Sequence, residues 1–443
     1  MNRRHFLRLA GALPALSLLN SAEAAASDYR ALVVLHLNGG NDGHNCLVPT
    51  DGAYDDYARA RPGLALPKAS LVPLAGSSAG HSFGMHPALA SMAALYDRGR
   101  LAWIANTGAL VAPASARQVM EHSVALPSFL LSHSDQTLWH QGWLGDADLS
   151  GWAGRALELL PGSLRHDLNA VSMSSERTLV QGRKSGVAFL SAGTSRHWGP
   201  ADLAQPDTAA TQTLHQMARW QFANHYEAEY AASFRRALNE STAFTQVALG
   251  APAPSGAFAD DRLAQCLRKL ATMLPRFKDM GYRRQVFLVH WGNFDTHTYQ
   301  RGANPNSQDA QLLVAAKALA AFDSSIQSAG LDQNVVTLST SDFGRTLSPA
   351  SGGGSDHAWG NHWFALGGPV AGGQVLGTFP TLVAGGPDDC DGNQGGRFVP
   401  TTSSDQVGAS VMQWLGLPDS GLLSAFPHLA NFKNKTLPHL LRS

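Results

Sequence analysis

Long apolar runs in this chain end in clusters of glycine, asparagine and aspartate, and that punctuation sets the expected fold. Ala31-Leu-Val-Val-Leu-His-Leu37 is almost continuously apolar and stops at Asn38-Gly-Gly-Asn-Asp-Gly43. A run of this kind marks a strand buried on both faces, as in a parallel sheet, and the polar stretch after it marks a tight turn. Pro87 to Tyr96 is patterned as a helix, with proline in its first turn and Gly99 just past its end. Leu101-Ala-Trp-Ile-Ala105 supplies another buried strand, giving a strand–helix–strand rhythm. From Ala209 to Leu249 the pattern turns helical, with Leu214, Met217, Trp220, Phe222, Tyr226 and Tyr230 among its larger apolar members. Ala251-Pro-Ala-Pro-Ser-Gly256 breaks it, and a further helix is expected over Asp260 to Met273. Gln308 to Ser328 is amphipathic and is closed by Gly330, where a left-handed cap belongs. Strands at Val286–His290 and Asn334–Ser339 flank it, as in a crossover connection. Gln406 to Leu415 is expected to close the fold. Neither repeats nor a long linker are visible, so one α/β domain is expected over residues 25–443, with the helices of residues 160–260 as a lateral layer or cap.

Composition narrows the class. Lys plus Arg and Asp plus Glu each total 33 in 443 residues, so there is no basic footprint for nucleic acid. Few charges and 44 glycines suit a loop-rich α/β enzyme better than a helical scaffold. The N-terminus has an export pattern: Asn2-Arg3-Arg4-His5-Phe6-Leu7, a short apolar run from Leu9 to Leu19, and Ala22-Glu23-Ala24 as an A-x-A cleavage site. Residues 1–24 are therefore expected to be a twin-arginine signal peptide read by the matching export machinery, with a general secretory signal or short anchor as the plainer alternative. The mature protein would be periplasmic or secreted, with no later segment apolar enough to span a bilayer. Cys46, Cys266 and Cys390 are few and widely spaced, which argues against a disulfide framework.

The candidate chemistry lies at strand ends. In an open α/β sheet, loops at the carboxyl ends of strands meet at the ligand crevice. Trp291-Gly-Asn-Phe-Asp-Thr-His297 follows one predicted strand and Thr340-Ser-Asp-Phe-Gly344 another. Two carboxylates about 4 Å apart repel by roughly 4 kcal/mol at an effective dielectric near 20, so acids sharing a crevice need a cation, a proton or a basic side chain. In extended chain, Asp295 and His297 share one face, and this pairing suits zinc, manganese or iron better than calcium. Asp42 sits in the turn after the first strand, where turn chemistry alone explains an Asp beside glycine as well as metal ligation does. Asp342 is a second ligand candidate, and Arg345 offers a planar fork for an anionic substrate oxygen; a simple Asp342–Arg345 salt bridge is the alternative. Gly352-Gly-Gly-Ser-Asp-His-Ala-Trp-Gly-Asn-His362 adds Asp356, His357 and His362 on a glycine-rich loop. It lacks the Gly-Lys-Ser/Thr ending of a phosphate loop, and no zincin helix or G-x-S-x-G elbow appears. Ser132 or Ser134 could be a nucleophile at a helix start or simply that helix's N-cap. His81 and His86 are better explained by packing or capping than by ligation.

Several segments together resemble the exported domain-of-unknown-function family numbered 1501. They are Leu37-Asn-Gly-Gly-Asn-Asp-Gly43, His86-Pro-Ala-Leu89, Ser132-His133, Phe294-Asp-Thr-His297, Ser341-Asp-Phe-Gly-Arg-Thr346, Ser355-Asp-His357 with Gly360-Asn-His362, and Asp405 to Gly416. The resemblance implies an alkaline phosphatase-like, sulfatase-like fold, a three-layer α/β sandwich with a mostly parallel central sheet. It also implies one or two divalent metals, zinc or manganese first and calcium or magnesium next. By position Asp42, Ser132, Asp295 with His297, Asp342, and His357 or His362 look like the superfamily's ligands and nucleophile. Phe343 departs from the pattern, standing where the superfamily has a histidine, and this puts a second metal in doubt.

The expectation is thus an exported metal-dependent hydrolase of small phosphate or sulfate esters. Asp42, Asp295, His297, Asp342, Asp356 and His357 are its candidate ligands; Ser132 would attack, Arg345 would steady the anion and His362 would protonate the leaving group. The rival is an exported binding or assembly protein that keeps the scaffold without turnover.

Overall fold

The computed structural model describes residues 28–145, 147–192 and 208–442. The expected twin-arginine signal, residues 1–24, lies outside them. A nine-stranded sheet is built from β1 (Arg30–Leu37), β2 (Leu101–Gly108), β3 (Ala170–Ser172), β4 (Ala188–Phe189), β5 (Arg284–Trp291), β6 (Val335–Ser341), β7 (Asn361–Leu366), β8 (Gln374–Leu376) and β9 (Thr402–Ser403). Its spatial order is β8-β2-β7-β6-β1-β5-β3-β4, with β9 also beside β2. Every pairing is parallel except those of β7, which runs antiparallel to β2 and β6.

The helices that matter here are α1 (Ala90–Asp97), α2 (His133–His140), α3 (Trp152–Glu158), α4 (His225–Ala248), α5 (Arg262–Asp279), α6 (Gln308–Ser328) and α7 (Ser404–Leu415). Strand β1 shows why its sequence is apolar without alternation. Ala31, Val33 and Leu35 join one core with Leu267 and Phe277 of α5 and Leu319 and Phe322 of α6. Leu32 and Val34 point the other way, to Trp152 of α3 and Val407 and Leu415 of α7. Both faces of the sheet are covered, which is the expected three-layer α/β arrangement. Each fully buried large aliphatic side chain contributes about 1.5–3 kcal/mol, so the strand is held mainly by its two-sided burial.

Several elements differ from their sequence patterns. Pro87–Leu89 is a 3₁₀ turn leading into α1, and two strands, β6 and β7, separate β1 from β2, so these two are not neighbours. The helical stretch from Ala209 breaks after Met217, and Asn224 caps a new start by accepting from the N–H groups of Tyr226 and Glu227. Tyr226 and Tyr230 are 89% and 75% exposed, so these aromatics are not core. The buried stripe of α4 is instead Ala231, Leu238, Phe244 and Val247, with Phe244 meeting Phe277 of α5. This makes α4 a lateral layer on α5. Helix α6 has the predicted bounds, with Ser307 capping its start and Gly330 at φ +67° past its end. The three cysteines are free thiols. Among the described residues no helix is long and apolar enough to cross a membrane.

Candidate metal centre

Register places the carboxyl ends of three adjacent strands level: Leu37 of β1 lies beside Trp291 of β5 and Ser341 of β6. The loops that follow therefore converge. After β1, Gly39 and Gly40 adopt φ +95° and +74°, and a Cβ on Gly39 would lie 2.5 Å from the backbone nitrogen of Asp295. Only glycine lets the turn press this closely on the loop after β5. The Phe294 N–H donates to the Asn38 carbonyl at 2.6 Å and fixes that contact.

Arg345 ties the same loops from below. It is fully buried, and its guanidinium donates to the carbonyls of Gly40 (2.8 Å), Ser355 (2.8 Å), Gly39 (2.5 Å) and Phe294 (3.1 Å) and to Asp295 Oδ1 (2.5 Å). The planar fork expected to steady a substrate anion is turned inward and holds Asp295 instead. Burial raises the Asp295 carboxyl, but Arg345 outweighs it and keeps the group below the ordinary carboxylate range.

Three imidazoles face that carboxylate. The Nε2 atoms of His297, His357 and His133 lie 3.0, 3.2 and 3.4 Å from Asp295 Oδ1. Each ring's other nitrogen meets an acceptor: His133 Nδ1 reaches Asp342 Oδ2 (2.8 Å), His297 Nδ1 reaches Asp356 Oδ1 (2.9 Å) and His357 Nδ1 reaches the Leu131 carbonyl (2.7 Å). Carboxylates and carbonyls only accept, so each Nδ1 carries a proton and each Nε2 is the nitrogen turned toward Asp295, where it can donate to that carboxylate or, without its proton, offer a lone pair to a cation. His297 Nε2 is also 3.0 Å from His357 Nε2, and His133 Nε2 is buried with no hydrogen-bond partner. One ligand atom each from His133, Asp295 and His357 fall within 4.8 Å of one another.

Lone pairs facing one another and a carboxylate oxygen are repulsive unless a proton or cation sits among them. Ligand atoms about 2.0–2.1 Å from a tetrahedral zinc are roughly 3.3 Å apart, which matches these spacings. Burial lowers the affinity of His357 for a proton. At His133 the bond to Asp342 raises it, with burial opposing. An all-nitrogen-and-oxygen donor set without thiolate suits zinc, manganese or iron.

The other expected site residues have different roles. Asp342 accepts from His36 Nε2 (3.0 Å) as well as from His133. Burial opposes its ionisation, yet these two bonds hold it far below the ordinary carboxylate range. It orients His133 from behind, as carboxylates commonly orient ligating histidines, and Asp356 does the same for His297. Asp42 is not brought to the cluster. Its carboxylate is buried in an ion pair with Arg61 and accepts from Gln300 Nε2 (2.6 Å) and the His44 N–H (3.0 Å). The buried Arg61 guanidinium requires that counter-charge.

Ser132 caps α2, its hydroxyl accepting the Asp135 N–H (3.4 Å) and donating to Asp135 Oδ2 (2.5 Å). It thus has the N-cap position that the sequence allowed. His362 lies elsewhere, its Nδ1 accepting the Asn106 N–H (3.0 Å) and its ring stacked on Phe379. Burial pushes its pKa well below that of a free histidine, so it is a neutral core residue rather than an acid beside Asp295. Phe343 is fully buried, its ring centroid 4.7 Å from that of His133 and 4.5 Å from that of His357. It packs against one flank of the cluster, beside these two rings. His133 is a candidate ligand that was not among those expected from the sequence. Its only signal was its place beside Ser132 at a helix start, because the partners that aim it, Asp342 and Asp295, are remote in the chain.

The family profile described as "Protein of unknown function (DUF1501)" matches residues 29–386. The chain belongs to the DUF1501 family. No curated protein matches it. Among solved structures, this DUF1501 chain is similar to the lipoteichoic acid synthase LtaP from Listeria monocytogenes, with 9% identity over 93% of this chain and 75% of that one, at a TM-score of 0.31. It is similar to the C-terminal periplasmic domain of EcEptC from Escherichia coli, in complex with Zn, with 11% identity over 94% and 92% of the two chains and a TM-score of 0.34. A third is the PsFucS1 sulfatase from Pseudoalteromonas sp., with 11% identity over 82% and 67% and a TM-score of 0.26. Overlaps this loose assign no activity to the DUF1501 chain.

Proposed function

We propose that this protein is an exported metal-dependent hydrolase of a small anionic ester, phosphate or sulfate. The observation that supports it is the convergence of three imidazole Nε2 atoms on Asp295 Oδ1, with each ring's Nδ1 held by an acceptor from behind. His133, Asp295, His297 and His357 would hold one divalent ion, with zinc or manganese favoured by the donors. Such an ion supplies Lewis-acid polarisation of an ester oxygen. Arg345 positions Asp295, while Asp342 and Asp356 keep the Nδ1 protons in place. In this proposal the attacking oxygen is that of a water rather than Ser132, whose hydroxyl is engaged by Asp135. The export pattern at residues 1–24 supports action in the periplasm or outside the cell.

The test is metal analysis of the mature protein after loading with zinc or manganese, followed by a panel of aryl phosphates and aryl sulfates. Expected are about one ion per chain and turnover that disappears in Asp295→Ala and His357→Ala but survives in Ser132→Ala. Protein that stays ion-free after loading would sink the proposal. One observation favours the second reading, a binding or assembly protein: Arg345 and Ser132, the side chains best suited to handle an ester, are held in structural contacts. A bound ion with no turnover on any ester would select it.

A further inference from the structure

The helix at Ala209–Met217 and the first turns of α4 contribute nothing to either of the cores that flank the sheet. They share a small apolar cluster of their own, with Ala218 and Leu238 as its buried members and Leu214 and Phe234 packed against them. No residue from Arg219 to Tyr230 is buried. Helices in proteins draw most of their stability from packing an apolar face. In this stretch the large apolar side chains are left in solvent instead. Met217, Trp220, Phe222, Tyr226 and Tyr230 are all exposed, the densest group of such side chains among the described residues. Apolar surface concentrated in this way marks a place where something else docks.

Their size and spacing suit a protein interface. The rings of Trp220 and Phe222 are 6.4 Å apart, and Tyr226 and Tyr230 stand one turn apart on the same face of α4. Trp220, Phe222, Tyr226 and Tyr230 are 54%, 38%, 89% and 75% exposed. At about 200 Å² for a whole aromatic side chain, that leaves roughly 500 Å² of aromatic surface in water. One side of a standard interface buries about 800 Å², somewhat more than half of it apolar, and the four aromatics alone supply that apolar share. Tyrosine and tryptophan are also the side chains that most often dominate such contacts.

The charges beside the rings select the occupant. Arg219 adjoins Trp220, while Glu227 and Glu229 alternate with Tyr226 and Tyr230 along the chain; all three are exposed, and no lysine occurs between Ala209 and Ala248. An anionic lipid surface is held by basic side chains, which acids among the rings would oppose. A patch that carries both signs can complement itself, because a two-fold axis sets the arginine of each copy against the acids of the other. We propose that this surface joins two copies of the chain in a two-fold dimer, with Tyr226 and Tyr230 at its centre. The pairing depends neither on a bound ion nor on turnover.

The experiment is sedimentation velocity on the mature protein, residues 25–443, from about 0.5 to about 50 µM, since interfaces of this size hold at micromolar concentrations or below. A species of twice the chain mass is expected at the upper end. Tyr226→Glu combined with Tyr230→Glu should weaken the association at least about 100-fold, as for two side chains at the centre of a contact. Hydrogen exchange of the wild type supplies a readout that needs no variant: amides from Arg219 to Ala231 should exchange more slowly at the highest concentration than at the lowest. A wild type that stays monomeric throughout overturns the proposal. So does a dimer that persists in the double variant, or protection that falls elsewhere in the chain. Monomers that sediment with vesicles of phosphatidylglycerol and phosphatidylethanolamine, and lose this in the double variant, would make the patch a membrane surface and also overturn the dimer.

Discussion

Replacing Arg345 with lysine separates the role the structure gives this residue from the anion-binding role its position in the sequence had implied. The guanidinium contacts five acceptors, the carbonyls of Gly39, Gly40, Phe294 and Ser355 and the Asp295 carboxylate, and it is fully buried. A lysine ammonium keeps the charge but has only three donors and no planar fork, so at least two acceptors lose their partner. Each buried unpaired group costs about 1–3 kcal/mol, so Arg345→Lys should destabilise by about 3 kcal/mol. Arg345→Met should be worse, since it also leaves Asp295 without its cation. That carboxylate is 35% exposed, and water offsets part of its share. The assay is urea denaturation followed by circular dichroism, with zinc affinity measured in parallel against a competing chelator. Both variants should lower the denaturation midpoint and weaken zinc binding, because Asp295 is no longer held. An Arg345→Lys protein with an unchanged midpoint and intact zinc binding, but a raised KM for an anionic ester, would refute the structural role and restore the substrate-binding one.

Three further outcomes follow from other parts of the molecule. Asp342→Asn retains one acceptor oxygen where two imidazoles now donate, so zinc affinity should fall about 10–100-fold in a chelator competition, the usual cost of losing a partner behind a ligand; unchanged affinity would show that Asp342 does not orient His133. Gly39→Ala puts a side chain at φ +95° and 2.5 Å from the Asp295 nitrogen, so it should cost upwards of about 1–3 kcal/mol and weaken metal binding together, which thermal melts with and without zinc would detect. Glu240, in α4, is pushed up to about 7 by burial, with Arg236 opposing and Asp167 reinforcing. Its folded pKa exceeds its unfolded value, so its ionisation costs nothing below about pH 4.5 and removes stability as pH rises to 7 and above. Glu240→Gln should therefore match the wild type near pH 4 and exceed it by up to about 3 kcal/mol at pH 8, less whatever solvent screening removes. A difference independent of pH in urea titrations would contradict the burial argument.

Much of the fold was legible because its signals are local. The unbroken apolar run of β1 could be satisfied only by burial on both faces, and the Ser307 cap and Gly330 fixed the two ends of α6. The larger apolar residues of a helical stretch need not be its buried ones: Trp220, Tyr226 and Tyr230 are exposed, while α4 buries Phe244 and Val247 in the core that holds α5. Which residues buried themselves there was decided by the partner helix.

The sequence by itself determined the class of sheet, the loops at its strand ends and the stock of aspartates and histidines on them, since each depends on residues close together in the chain. Only the tertiary structure decided which of those groups meet. It set β5, β1 and β6 side by side, brought His133 in from α2, and gave Asp42 to Arg61 and Arg345 to Asp295. A carboxylate becomes a ligand, an orienting group or half of a salt bridge according to the charge that folding places beside it, and that neighbour is set by strand order and packing rather than by local sequence.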